Sequence, residues 1–288
     1  MPHRHPIGRR VARHARTALC AAQEVHVSRR FGPGLSCQRG IASVYVAEIS
    51  FQGRPMIDYA GARHPPRPEL IDAHHHAWQQ IGAPGTWLRG RDRVAIADET
   101  RAALSCALCA MRKSALSPFA ISGAHSQRND LAPGMVDLVH RLATDPGRLT
   151  RDWFDRIIGP DLTVEQYVEA VSVVATTVLI DTQHRALGVD VPSLPVAQAG
   201  EPARTVNPDC VDGGAWVPMV PADQTPSDTG LPAAPNILRA MSAVPGAVAL
   251  FFGAFRPHYA LKNLRLAISQ AQAEFVAARV SALNECFY

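Results

Sequence analysis

The sequence predicts an all-α fold. Three observations carry that expectation: apolar residues recur every three to four positions in stretch after stretch from Pro68 onward, helix-start signals precede these stretches, and no segment sustains the two-residue alternation of a half-buried strand.

Each element has its own signature. Pro68 suits a first helical turn, where its missing N–H is not needed, and Leu70, His74, Ala77 and Ile81 then share one face until Gly82, Pro84 and Gly85 close the helix. A second helix is expected over about 91–113, with Val94, Ala97, Leu104, Leu108 and Met111 on its apolar side and Pro118 enforcing an end. Pro133 opens a third through Val136, Val139 and Leu142. Thr150 caps a short fourth carrying Trp153, Phe154, Ile157 and Ile158. In the fifth, Thr163 and Gln166 form a capping box, a valine-rich run follows, and Gly188 and Pro192 mark the stop. Between 190 and 235 fall nine of the 23 prolines, among Ser, Thr, Asp and Gly, which reads as an extended linker draped over the surface. Helical signals return over 236–243 and 247–259, and a last helix starts with the box Ser269 to Gln272 and carries Val276, Val280 and Leu283. The expected division is therefore a leader (1–55), a helical module (65–190), a Pro-rich linker (191–234) and a second, partial module (235–288).

Composition excludes several function classes. With 288 residues, 47% hydrophobic and 19% charged, the chain is ordinary globular material. Its net charge of +4 is unevenly spread. Residues 1–55 carry nine Arg, no Lys and only Glu24 and Glu48 as acids, whereas the remainder carries 20 basic and 23 acidic side chains. A mildly acidic body gives no electrostatic support for nucleic acid as a partner. The longest apolar stretch, 168–180, contains Glu169 and is too short to span a bilayer, so no membrane partner is expected. The Arg-rich, acid-poor leader reads as a disordered tail, as upstream sequence before a start at Met56, or as a transit-like segment. Cysteines at 20, 37, 106, 109, 210 and 286 form no disulfide framework, which points to a reducing, cytoplasmic setting.

Chemistry is concentrated at Cys106 and Cys109, a CxxC pair. On one continuous helix Glu99, Ala102, Cys106, Cys109 and Lys113 would share a stripe, placing a carboxylate, two thiols and an ammonium group together. A cation and a helix N-terminus favour thiolate. Thiolate attacks peroxide oxygen, and a second sulfur one turn away can convert the sulfenic acid to a disulfide. The same spacing also serves two small side chains that simply pack. The spacing disfavours zinc, and no metal or other cofactor is expected, because no second CxxC or HxxxH exists and His125 and Cys210 would have to be recruited from afar. The adjacent His74, His75 and His76 point about 100° apart on a helix and cannot share one ion. His74 lies on the apolar stripe and reads as a core or interface histidine, while His125, His140, His184 and His258 have no assigned role.

The glutamate-to-CxxC segment, followed by the capped valine-rich helix ending in Arg185-Ala-Leu-Gly-Val, resembles the alkylhydroperoxidase AhpD and carboxymuconolactone decarboxylase family. Residues 272–288 are similar to that family's approach to its CxxC, with Glu274 twelve positions before Cys286. The resemblance implies a helical, often oligomeric protein in which Cys109 attacks a hydroperoxide and Cys106 resolves it, while a glutamate and a histidine four residues after the second cysteine handle the proton. Two positions depart from the pattern: residue 113 is Lys rather than His, and the residue twelve before Cys106 is Val94, leaving Glu99 as a geometric substitute. The sequence ends at Tyr288, one residue before a second sulfur is due, and so resembles the alkylhydroperoxidase-related selenoproteins; a recoded codon after Tyr288 is the corresponding expectation. The implied function is reduction of organic hydroperoxides with an external dithiol as reductant and a homo-oligomeric assembly. A carboxymuconolactone-decarboxylase-like enzyme without a redox cycle and a non-catalytic helical oligomer are the alternatives. The candidate residues are Cys109, Cys106, Glu99, Lys113, Glu274 and Cys286.

Overall fold

Helix-start chemistry sets most element boundaries. A computed structural model describes residues 57–224, 236–258 and 266–283, and these all belong to one compact unit. The leader and Cys286 lie outside the described residues. Proline occupies the first turn of α1 (Pro68–Gly82), α4 (Pro133–Thr144) and α8 (Pro245–Phe255). The Asp92 carboxylate accepts from Arg89 N–H at the start of α2 (Gly90–Ala103), and Thr150 Oγ1 accepts from Trp153 N–H at the start of α5 (Arg151–Ile157). The reciprocal bonds expected between Thr163 and Gln166 open α6 (Val164–Ala186). That helix closes in a Schellman motif: Val189 N–H reaches His184 O, Gly188 N–H reaches Arg185 O, and Gly188 has φ +70, a left-handed conformation that glycine adopts without a Cβ clash. The remaining helices are α3 (Ala107–Ser114), α7 (Asn236–Met241) and α9 (Gln270–Leu283). Among the described residues there are no strands beyond two isolated bridges.

α6 is the centre of the fold. It buries residues on every side, including Val168, Val173, Val174, Thr177, Ile180 and His184, and packs against α8, α2, α4 and α1. At 23 residues it runs about 34 Å, the depth of a small domain. Trp78 and Ile81 from α1, Ile96 from α2, Leu138 and Val139 from α4, Trp153 from α5 and Leu250 from α8 complete the core. α7 and α8, expected to begin a second module, pack on α6 and on each other, with Leu250, Ala247 and Met241 in the same core as α1 to α6. The second-module boundary thus does not mark a separate core. The apolar surface of a six-turn helix needs partners on all sides, and α8 supplies one of them. No described helix is long and apolar enough to cross a membrane.

Buried charges are paired. Arg93 on α2 lies 3.3 Å from Glu169 on α6, whose other oxygen accepts from Trp87 N–H at 2.6 Å. Arg101 grips Asp181 with two bonds of 2.8 and 2.7 Å. The expected linker is a strap over the α1–α2 corner. Gln198 N–H donates to Gly82 O, Ala203 N–H to Gly85 O, Arg204 N–H to Thr86 O, and Trp78 Nε1 donates to Ser193 O.

A second polar cluster explains the buried His74. Its Nδ1 meets Tyr59 Oη at 2.7 Å, its Nε2 meets His258 Nε2 at 2.7 Å, and the Tyr59 ring lies against His184 with centroids 4.1 Å apart and the planes tilted by 30°. An apolar groove of about 330 Å³, lined by Tyr167, Val168, Trp216, Val217, Met241 and Phe251 among others, includes none of the CxxC-site residues.

Candidate thiol–imidazole site

The expected continuous helix over 91–113 breaks just ahead of the first sulfur. α2 ends at Ala103, Ser105 N–H and Cys106 N–H bond back to Ala102 and Ala103 carbonyls, and Cys106 adopts an extended backbone (φ −73, ψ 122) as the N-cap of α3. Leu104 and Met111, assigned to the apolar side, are exposed. Ala97 and Leu108, assigned to the same side, are buried, and the buried face of α2 also carries Arg93, Ile96, Glu99, Thr100 and Ala103. The stripe expected to join Glu99, Cys106, Cys109 and Lys113 on one continuous helix therefore does not form. Cys106 and Cys109 sit at a helix N-terminus, where backbone N–H groups point at sulfur.

Two histidines from elsewhere in the chain converge on this turn. His125 comes from the extended segment after the 3₁₀ turn Pro118–Ala120, and His140 comes from α4. His125 Nδ1 lies 3.7 Å from Cys106 Sγ and 3.5 Å from Cys109 Sγ; His140 Nδ1 lies 3.3 Å from Cys109 Sγ. Ser126 N–H donates to Cys106 Sγ at 3.4 Å. The two imidazoles lie side by side, with centroids 4.2 Å apart.

Each imidazole is oriented by a carboxylate behind it. His140 Nε2 donates to Glu99 Oε1 at 2.9 Å, and His125 Nε2 donates to Asp137 Oδ1 at 2.8 Å. Occupying Nε2 in this way leaves Nδ1 as the atom that faces sulfur. Both carboxylates are themselves fixed. Glu99 accepts from Arg128 N–H, Asn129 N–H and Asn129 Nδ2, which pins the His125 segment to α2. Asp137 accepts from Arg112 Nη1 at 2.8 Å, Trp153 Nε1 at 2.6 Å and Arg141 Nε at 3.3 Å.

The electrostatic consequence is a thiolate–imidazolium arrangement. Burial pushes the Cys106 thiol up, but hydrogen bonds from Ser126 N–H, Cys109 N–H and His125 outweigh it and hold the group down at about 5. Cys109 is lowered against its burial by His125 and His140. Burial alone would lower His125, yet its bonds to Asp137 and both sulfurs raise it to about 10; His140 is raised by Cys109 and Glu99.

Of the sequence-derived candidates, Cys106, Cys109 and Glu99 come together here. The Lys113 side chain is exposed in the last turn of α3, away from the sulfur-facing first turn. Glu274 is half-buried on α9, where its carboxylate accepts from Gln270 Nε2. Cys210, which a zinc reading would have recruited, lies instead beside Ser242 Oγ at 3.7 Å. His125, His140 and Asp137 are the residues missed by sequence reasoning. The available signal was His140 itself, a titratable side chain on the face of α4 that carries Val136 and Val139. No family model, curated protein or solved structure matches the chain.

Proposed function

We propose that the chain is a dithiol oxidoreductase that reduces organic hydroperoxides, similar in fold and chemistry to the alkylhydroperoxidase AhpD family. The observation that carries this reading is the relay Glu99–His140–Cys109, with 2.9 Å and 3.3 Å links, ending on a sulfur one helical turn from Cys106. His140 takes the place that the family pattern gives to a histidine at position 113.

In the forward step Cys109 thiolate attacks the distal peroxide oxygen. An S–O bond forms, the O–O bond breaks, and His140 delivers the proton that converts the leaving alkoxide to alcohol. Cys106 thiolate then attacks the sulfenic sulfur, an S–S bond forms, and hydroxide leaves as water after protonation. An external dithiol returns two electrons and two protons through a mixed disulfide. The donor atoms of Cys106, Cys109, His125 and His140 all lie within 4.8 Å of one another, so closing to a disulfide bond of about 2.05 Å takes a small movement of the α3 N-terminus. Cys106 and Cys109 are buried, while their chain neighbours Leu104, Ser105, Ala107 and Ala110 are exposed, so a hydroperoxide would approach from that side of the turn. The proposal sets the protein in the cytoplasm and includes self-association, for which the exposed Phe275, Val276, Val280 and Leu283 of α9 offer apolar surface.

The test is consumption of cumene hydroperoxide by the reduced, metal-free chain with dithiothreitol as reductant, together with mass tagging of free thiols. Turnover is expected with a Cys106–Cys109 disulfide as intermediate, lost in Cys109→Ser and arrested at sulfenic acid in Cys106→Ser. Peroxide-indifferent cysteines refute the reading. Turnover of a lactone acid by a chain with both cysteines changed to Ser would favour a decarboxylase instead.

A further inference from the structure

We propose that Cys106, Cys109, His125 and His140 also form a tetrahedral site for a soft divalent cation, zinc above all, whose occupancy guards the dithiol. Four donors arrive from three separate segments: the N-cap and first turn of α3, the extended segment at 125, and α4. Tetrahedral zinc, with Zn–S of about 2.3 Å and Zn–N of about 2.0–2.1 Å, requires S···N separations of roughly 3.6 Å. The observed separations are 3.3, 3.5 and 3.7 Å. Three donor–donor separations thus lie within a few tenths of an ångström of a tetrahedral edge, and all four donor atoms lie within 4.8 Å of one another.

The surroundings point the same way. Both imidazoles present Nδ1 to the centre because Glu99 and Asp137 hold Nε2, the carboxylate–histidine pairing that orients metal ligands and raises their basicity. Two sulfurs and two imidazole nitrogens select zinc over magnesium or calcium, which need oxygen donors. Four protein ligands close the coordination sphere. The cation would therefore leave no position for substrate, and its effect would be to occupy the lone pairs that otherwise attack peroxide or form the disulfide.

The site stands on donor geometry alone, whereas the guarding role rests on the peroxidase reading. Oxidation of the two thiolates by one hydroperoxide takes up two protons, yields one disulfide, one alcohol and one water, and releases the cation because a disulfide sulfur is a poor ligand.

Cobalt is the probe. Anaerobic titration of the reduced full chain with Co²⁺ should give the visible bands of a tetrahedral ion and sulfur-to-cobalt charge transfer, saturating at one equivalent and bleached by Zn²⁺. Cys106→Ser should lose about half the charge-transfer intensity, Asp137→Asn should weaken affinity about 10- to 100-fold while still folding, and Cys210→Ser should leave the spectrum unchanged. An octahedral spectrum, or one indifferent to Cys106→Ser and Asp137→Asn, overturns the site. Hydroperoxide consumption by metal-free protein that fails to bind Co²⁺ removes the cation site and keeps the peroxidase; tetrahedral Co²⁺ on a protein inert to peroxide supports the cation site and removes its guarding role.

Discussion

Replacing Glu99 by Gln tests the relay at its far end. The carboxylate is fully buried and takes four donors: Arg128 N–H, Asn129 N–H and Asn129 Nδ2 chiefly on Oε2, and His140 Nε2 on Oε1. A glutamine can keep its carbonyl where Oε2 was and satisfy the three segment donors, but its NH₂ then faces His140. The imidazole must accept at Nε2 and so becomes neutral, with its one proton at Nδ1, and Cys109 loses the imidazolium that favours its thiolate. Charge-assisted hydrogen bonds contribute about 1.5–3 kcal/mol against about 1 kcal/mol for neutral ones, so exchanging the four should destabilise the fold by about 2–8 kcal/mol. Losing a positioned acid–base group lowers turnover about 10²- to 10⁴-fold. Urea unfolding, hydroperoxide consumption and the rate of thiol alkylation together read both effects. Should Glu99→Gln unfold at the wild-type urea midpoint and consume hydroperoxide within twofold of wild type, the Glu99–His140–Cys109 chain would be shown to be packing.

Other outcomes follow from parts of the fold remote from the sulfurs. Gly85→Ala would place a Cβ 1.6 Å from Glu169 Oε1 and 2.7 Å from its Cδ, so the buried Arg93–Glu169 pair must move; a fall in Tm of several degrees is expected, and an unchanged Tm would contradict the close approach. Asp181→Asn leaves Arg101 without its bidentate anion and should cost about 3 kcal/mol in urea unfolding, more than any exposed ion pair such as Arg151–Asp155. His74 is held down at about 3, first by burial and then by His258 and His184, so it binds fewer protons folded than unfolded. Its contribution is complete above its unfolded value near 6.5 and is lost as pH falls from there toward 3, by up to about 1.4 kcal/mol per pH unit. The wild type should therefore lose stability between pH 7 and 5 more steeply than His74→Gln, and parallel slopes would refute this.

Features written within four residues were legible in the sequence. Pro68 and Pro133 at helix starts, the Thr163–Gln166 and Ser269–Gln272 boxes, and Gly188 at the end of α6 all act through atoms one turn away. The break before Cys106 was not legible, because neither glycine nor proline marks it. Ala103 to Ala107 has ordinary helical character, and the break is set by Ser126 N–H and His125 closing on a sulfur from 20 and 19 residues away. Glu99 was found through a stripe that the structure interrupts, yet its position one turn before the end of α2 still brings it to His140. His125 and Asp137 had no local signature. Their meaning lies in the packing of α4 beside α2 and α3, which no spacing along the chain records. The absorption of α7 and α8 into one core follows from α6, a helix with apolar or small residues on every face that a single module of short helices leaves partly uncovered.

The strap over the α1–α2 corner is held at Gln198, Ala203 and Arg204 by main-chain amides donating to main-chain carbonyls. Such ties ignore side-chain identity, so most of this segment can change its residues while keeping its path, with two exceptions. Proline at any of the three positions removes the donor outright, and any side chain at Gly200, where φ is +142 and a Cβ would sit 2.8 Å from Pro84 Cγ, is strained; a saturation library across 198–204 should show its losses at proline on those three sites and at every substitution of Gly200.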